Sequence, residues 1–237
     1  MKMNNKLPLV SVLMSTFNSE KTLERAIDSI LNQSYENIEF LICNDGSTDN
    51  SIKILEKYSN LYEKINVINN RKNVGLTKSL NLLISKSKGD FIARQDADDY
   101  SDPERIKEQI KYCINNKFQA VFTRSYNLNN NSSMQKISYL IPYKILVNFK
   151  NPFVHGTMLI SSKIIKTMGG YDENFYFAQD YKLYKGLIEN KVKIKKERKI
   201  LYYLNTKENI SSLYKKEQKY YADCVRKRVT PNLDFQS

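Results

Sequence analysis

Asp90-Phe91-Ile92-Ala93-Arg94-Gln95-Asp96-Ala97-Asp98-Asp99 runs a short apolar segment into three carboxylates held within four residues. In a chain of net charge +13, an acidic knot at the end of a buried strand needs a reason. Carboxylates this close repel one another, so one keeps its proton or a cation sits between them. Oxygen ligands of this kind suit Mg²⁺ or Mn²⁺, which bind through one or two carboxylates together with the phosphates of a substrate. A capped turn before the helix signal Asp102-Pro103 accounts for Asp102 and leaves Asp96 and Asp98 unexplained.

Upstream of this stretch, strand-length apolar runs alternate with helical patterns. Val10 to Met14 reads as a buried strand, and Ser19 is expected to cap a helix carrying Leu23, Ala26, Ile27, Ile30 and Leu31 at helical spacing. Ile38 to Cys43 forms a second strand, and Asp45-Gly46-Ser47 turns into a helix with Ile52 and Leu55. A third strand, Ile65 to Ile68, precedes Gly75 and a helix with Leu76, Leu80 and Leu83. Phe91 to Ala93 is the fourth strand, followed from Pro103 by a helix with Ile106, Ile110 and Cys113. Continuously apolar strands alternating with helices imply an α/β fold, its parallel sheet covered on both faces. Ligands of such sheets bind beyond the carboxyl ends of the strands. Thr16-Phe17-Asn18, Asn44-Asp45-Gly46 and Asp96-Ala97-Asp98 all stand there, so three strand ends direct polar chemistry at one place.

Beyond about residue 120 the alternation loosens. Asn127 to Ser133 reads as a hairpin tip or mobile loop, Thr157 to Ile160 as a strand, Gln179 to Ile188 as a helix, and Val192 to Leu204 as one or two strands.

The 38 basic against 25 acidic residues fit nucleic acid, an anionic membrane or a phosphorylated substrate as partner. Their spread along the chain equally fits compositional drift. Three dispersed cysteines, Cys43, Cys113 and Cys224, argue for reduced thiols in a cytoplasmic protein. No apolar run approaches membrane-span length, and Leu7 to Met14 reads as a first strand rather than a leader. From Ser211, tyrosines interleave with lysines and arginines at helical spacing. Such a segment can lie on an anionic bilayer, or pack on the domain through Leu213, Tyr220 and Val225 with its lysines solvated.

The motifs resemble the family 2 glycosyltransferases of the GT-A fold. The resembling segments are Val10 to Asn18, Cys43-Asn44-Asp45-Gly46-Ser47-Thr48-Asp49, Asn73-Val74-Gly75-Leu76 with Ser79-Leu80-Asn81, and Gly89 to Asp99. His155-Gly156-Thr157 and Gly169-Gly170-Tyr171-Asp172 to Gln179-Asp180-Tyr181 complete the series, in order over residues 8 to about 190. The resemblance implies one GT-A domain over residues 1–207, with a nucleotide-binding half of about 8–100 and an acceptor half of about 101–207, then a basic helix and tail over 208–237. It implies that Thr16, Asn18 and Asp45 hold the nucleoside of a nucleotide-sugar donor, UDP-linked by expectation, with Asp96 on the ribose side and Asp98 on a Mn²⁺ or Mg²⁺ bridging the phosphates. Lys78 would add positive charge near the diphosphate or stand on a solvated helix face. Asp180, at a helix start where the dipole favours the carboxylate, would be the general base of a single inverting displacement. His155, the single histidine, would touch metal, phosphate or acceptor, or serve as a structural residue.

Three departures bear on this. Ser15 replaces a frequent proline. Gln179 replaces a frequent glutamate and removes a second acid. The absence of tryptophan sets the chain apart from processive synthases and implies addition of one sugar, to a glycan or lipid-linked saccharide of a surface polysaccharide. The competing readings are a catalytically silent nucleotide-sugar binder and a basic nucleic-acid-binding protein. No nucleic-acid recognition motif accompanies the charge, so the expected partners exclude nucleic acid. A nucleotidyltransferase would need a Gly-rich basic phosphate loop that Ser15 to Glu20 does not supply.

Overall fold

The computed structural model describes residues 7–133, 140–206 and 214–232. Strands β1 (Val10–Thr16), β2 (Ile38–Asn44), β3 (Ile65–Asn69) and β4 (Phe91–Arg94) alternate with helices α1 (Leu23–Leu31), α2 (Ser51–Leu61) and α3 (Leu76–Lys86). These strands lie in the order β3-β2-β1-β4, with every neighbouring pair parallel. The chain therefore reverses its direction of winding between β1 and β4. In open α/β sheets a crevice for ligand opens at such a switch point.

β1 and β2 are buried on both faces, as their apolar runs predict, and β4 nearly so, whereas the edge strand β3 buries only Ile65. Val10, Val12, Met14, Phe40 and Ile42 pack with Leu23, Ile27 and Ile30 of α1, Leu55 of α2, and Ile106 and Ile110 of α4 (Arg105–Asn116). Alternate residues Leu13, Leu41 and Cys43 face the other way, onto Leu80 and Leu83 of α3 and Ile165 of α6 (Ser162–Thr167). Leu183 and Leu187 of α7 (Gln179–Glu189) complete that layer.

The second half extends the same sheet. Beyond β4 come β8 (Met158–Ser161), β6 (Ala120–Asn127), β9 (Ile194–Leu204) and β5 (Tyr100–Ser101), while β7 (Ser132–Ser133) pairs with β6. The longest ladder here, β6 with β9, is parallel, and the short ladders β4 with β8, β6 with β8, β5 with β9 and β6 with β7 are antiparallel. Asn127 to Ser133 is a hairpin tip, as its composition predicts.

Several local expectations are corrected. Ser19 does not cap α1, which begins at Leu23. Its carbonyl accepts the Thr22 and Leu23 N–H groups, and its hydroxyl donates to the Phe17 carbonyl. Thr157 belongs to a 3₁₀ turn (His155–Thr157) just before β8. Val192 to Leu204 holds a single strand, β9, whose register against β6 shifts around Arg124.

The last described helix, α8 (Lys215–Lys227), packs on the domain through Tyr221, Cys224 and Val225, against Val147, Phe175, Phe177 and Tyr181. Tyr220 is only half-buried, and Leu213 lies outside the described residues. The buried Lys185 ammonium donates to the carbonyls of Val225 (2.9 Å) and Arg226 (3.1 Å). A cation there adds a donor to the last carbonyls of the helix and opposes the negative end of its dipole. The three cysteines are buried and free. No helix among the described residues is long and apolar enough to cross a membrane.

Candidate active site

At the carboxyl ends of β1 and β2 the loops are stitched by the residues singled out from sequence. Asn18 sits in the left-handed region (φ 50°) and accepts hydrogen bonds from the Thr48 N–H (2.8 Å) and hydroxyl (3.3 Å). Asp45 is buried, and its carboxylate accepts from the Val74 N–H (3.0 Å), the Gly75 N–H (2.9 Å) and the Asn70 amide (2.7 Å). This carboxylate thus anchors the loop that starts α3, where the dipole favours negative charge. Gly75 turns that loop at φ +92°, and a Cβ there would lie 2.8 Å from the Tyr176 ring. Thr16 is buried with its hydroxyl unpartnered among the described residues, a group that gains from a ligand's hydrogen bond. Lys78 is exposed on the first turn of α3, with no ion pair among the described residues.

The acidic end of β4 resolves its own repulsion residue by residue. Arg94, buried, donates to Asp96 Oδ1 (2.5 Å) and to the Leu13 carbonyl (3.0 Å). The Asp96 N–H donates to the Tyr202 hydroxyl (3.0 Å). Asp99 is buried and accepts the Asn205 N–H (2.7 Å), and burial, then Asp98 and Asp96, hold its pKa far above the usual carboxylate range. Asp98 is half-buried, its pKa pushed up to about 6 by burial and then by Asp96. Of the three acids, one is paired with a guanidinium, and burial shifts Asp99 towards its protonated form. Asp98 is left as the carboxylate that a cation would relieve.

Beneath this turn lies a second buried guanidinium. Arg105 donates to the carbonyls of Arg94 (3.1 Å) and Gly156 (2.9 Å), and burial lowers its pKa to about 10. It thereby ties the end of β4 to the turn that carries His155. Gly156 has no room for a side chain, because a Cβ would lie 2.0 Å from the Tyr202 hydroxyl.

Facing the acidic turn is the start of α7. Asp180 stands in its first turn, after Ala178 in the left-handed conformation (φ 53°). Its Oδ2 accepts the Asn151 amide (2.7 Å). Burial pushes its pKa up to about 6 against these hydrogen bonds, with Asp96 adding to the rise. His155 Nε2 lies 2.7 Å from the Tyr171 hydroxyl. Burial, and next Arg94, lower the imidazole to about 3, so it is neutral at physiological pH. The Tyr184 hydroxyl is buried without a partner among the described residues, and after burial the charge it feels most is that of Asp180.

The structure therefore brings Asp96, Asp98, His155 and Asp180 into one electrostatic neighbourhood at the strand ends that carry Thr16, Asn18 and Asp45, and Lys78 is exposed on the helix that the Asp45-anchored loop begins. Sequence reasoning missed Arg94, Arg105, Tyr171, Tyr184 and Tyr202. Arg94 alone left a signal, a cation two residues before Asp96 in an apolar strand and so on the same face.

Among the described residues no three His, Cys, Asp or Glu side chains converge as a ready-made metal cage. The donor set fits instead a Mg²⁺ or Mn²⁺ held by one carboxylate and completed by water and substrate phosphate.

A sequence model described as Glycosyl transferase family 2 matches residues 11–169. The chain belongs to glycosyltransferase family 2. It is 35% identical over 170 residues to the putative glycosyltransferase EpsE of Bacillus subtilis, covering 70% of this chain and 61% of EpsE. It thus spans about three-fifths of that relative's length. It is 32% identical over 183 residues to the O-antigen biosynthesis glycosyltransferase WbnJ of Escherichia coli, covering 75% of this chain and 71% of WbnJ. Among solved structures, S. aureus TarS 1–349 in complex with UDP superposes with a TM-score of 0.73 at 21% identity, covering 96% of this chain and 68% of that one. At that identity the likeness speaks for the fold, which is GT-A.

Proposed function

We propose that this glycosyltransferase moves one hexosyl or N-acetylhexosaminyl unit from a UDP-sugar to a hydroxyl of a glycan or lipid-linked saccharide, with inversion, in the assembly of a surface polysaccharide. The observation that carries the reading is the meeting of β4 and α7. A half-buried carboxylate that a cation would relieve, Asp98, stands with Asp96 across from Asp180, a carboxylate that burial raises to about 6. The complex of TarS with UDP and the O-antigen role in the name of WbnJ support the donor and the setting.

In this reading Thr16, Asn18, Asp45 and Asp96 receive the nucleoside, and Lys78 adds charge to the approach. Asp98 holds a Mn²⁺ or Mg²⁺, with His155 available only if its Nε2 leaves Tyr171 or its Nδ1 is used. When bound, the cation neutralises charge on the departing diphosphate. Asp180 takes the acceptor hydroxyl's proton as that oxygen bonds to the anomeric carbon and the bond to the diphosphate breaks. A base with a pKa near 6 is ionised at neutral pH and basic enough to accept that proton. Asn151 fixes its orientation. A cytoplasmic location, with the basic tail touching the inner face of the plasma membrane, completes the proposal. The exposed Lys215, Lys216 and Lys219 of α8 support that contact.

The test is nucleoside diphosphate release across a panel of nucleotide sugars and saccharide acceptors, with the product anomer read by NMR. One donor consumed with inverted stereochemistry, and lost in Asp180→Asn, is the expected result. A donor that binds and is never consumed with any acceptor would identify a silent binder.

A further inference from the structure

Over residues 140–150, just before the Asn151 that orients Asp180, the chain forms a small knuckle that exposes most of its apolar residues. Leu140 is 82% exposed, Phe149 69% and Ile145 54%. The knuckle is anchored from within. Leu146 and Val147 are buried, and the Tyr181 hydroxyl donates to the Val147 carbonyl (2.6 Å). A short helix, α5 (Tyr143–Leu146), continues as turns through Lys150, whose N–H donates to the Leu146 carbonyl. Ile145 and Phe149, four residues apart in the helix and the turns that continue it, share the outward face, and Ile141 is exposed just before the helix.

Isolated exposed hydrophobics are ordinary, but a cluster of large ones on a single projection marks an interaction surface. Its surroundings identify the partner. Lys144 and Lys150 flank the apolar face, and the Arg226 guanidinium donates to the Phe149 carbonyl (3.3 Å), bringing the basic end of α8 alongside. From Gln109 to Tyr171 the sequence contains no aspartate or glutamate. Arg226 itself is paired with Asp223, so the net positive charge beside the apolar tip comes from Lys144 and Lys150. An apolar tip flanked by these lysines complements an anionic bilayer, where the side chains enter the acyl boundary and the lysines meet headgroup phosphates.

We infer that the 140–150 knuckle is a membrane-insertion element that seats the acceptor side of the site on an anionic lipid surface. It rests on the transferase reading only for its purpose, delivery of a lipid-linked acceptor, because vesicle binding is measured without donor or turnover. The chain has no tryptophan, so Phe149→Trp supplies a single fluorescent reporter. Phosphatidylglycerol vesicles should shift its emission to the blue, and vesicles of phosphatidylcholine alone should do so far less. In co-sedimentation, Ile145→Ser with Phe149→Ser should weaken partition to phosphatidylglycerol vesicles by about tenfold or more. Both side chains are exposed, so the melting temperature should be unchanged. Three results would overturn the inference: no vesicle binding by the wild type; equal binding by the double variant with no reporter shift, which would leave the contact to the tail; or a shift that grows with protein concentration without lipid, which would identify a second copy as the occupant.

Discussion

Asp180→Asn is expected to separate stability from activity. The Asp180 carboxyl has a pKa near 6 in the folded chain, against an ordinary value of 3.8. A rise of roughly two units corresponds to about 3 kcal/mol of preference for the protonated form. Because the folded carboxyl holds its proton more tightly than the unfolded one, ionised Asp180 opposes folding. That cost is complete above pH 6 and fades as the pH falls from 6 towards 3.8. Asparagine removes it. Against this gain, the Asn151 amide at 2.7 Å loses a charged acceptor, which costs about 1–1.5 kcal/mol. The net effect at pH 7.5 is a stabilisation of about 1.5–2 kcal/mol, a rise of about 3–8 °C in melting temperature for a chain of this size. Near pH 4 the difference should vanish or reverse. Transfer should meanwhile fall by about 10²–10⁴-fold, and the wild-type rate should decline below about pH 6 as the base is protonated. Thermal melts of both proteins from pH 4 to 8, alongside donor turnover, make the comparison. An Asp180→Asn protein less stable than wild type by the same margin at every pH would refute the reasoning.

Other expectations follow from packing. Gly156→Ala places a methyl 2.0 Å from the Tyr202 hydroxyl and should cost about 3 kcal/mol or more, seen as a lowered urea midpoint. Tyr184→Phe deletes a buried hydroxyl with no partner among the described residues, so denaturant unfolding should show a neutral to about 1 kcal/mol stabilising effect. A clear loss would reveal a partner in the free protein. Lys185→Met removes the cation from the last carbonyls of α8. It should cost about 1–3 kcal/mol and speed proteolytic cleavage around residues 214–228, with the nucleotide-binding loops unaffected.

The parallel half of the fold was legible because burial on both faces leaves a direct record in sequence. Val10 to Met14 and Ile38 to Cys43 are apolar at nearly every position, and the loops after them must end at the same edge of the sheet. The antiparallel half left a weaker record. β5, β7 and β8 are short, and the register of β9 shifts around Arg124. Helix starts were misread where backbone carbonyls do the capping, as at Ser19. In the site, the acids announced themselves through charge in an apolar context, but their partners did not. Tyr202 reaches Asp96 across 106 residues, and Arg105 lies inside an ordinary amphipathic helix pattern. No local spacing encodes either contact. The membrane expectation was attached to the most basic stretch, the tail; the exposed Leu140, Ile141, Ile145 and Phe149 of the 140–150 knuckle drew no such reading, because no charge run marks them.

The central claim is that the end of β4 is a donor site completed by a divalent cation at Asp98. Calorimetric titration of UDP tests it most directly, with Mn²⁺, Mg²⁺ or EDTA, against wild type and Asp98→Ala. The account requires binding with metal that is lost both in EDTA and in the variant. Binding that is indifferent to metal and to Asp98, or no nucleotide binding by a folded protein, would contradict it.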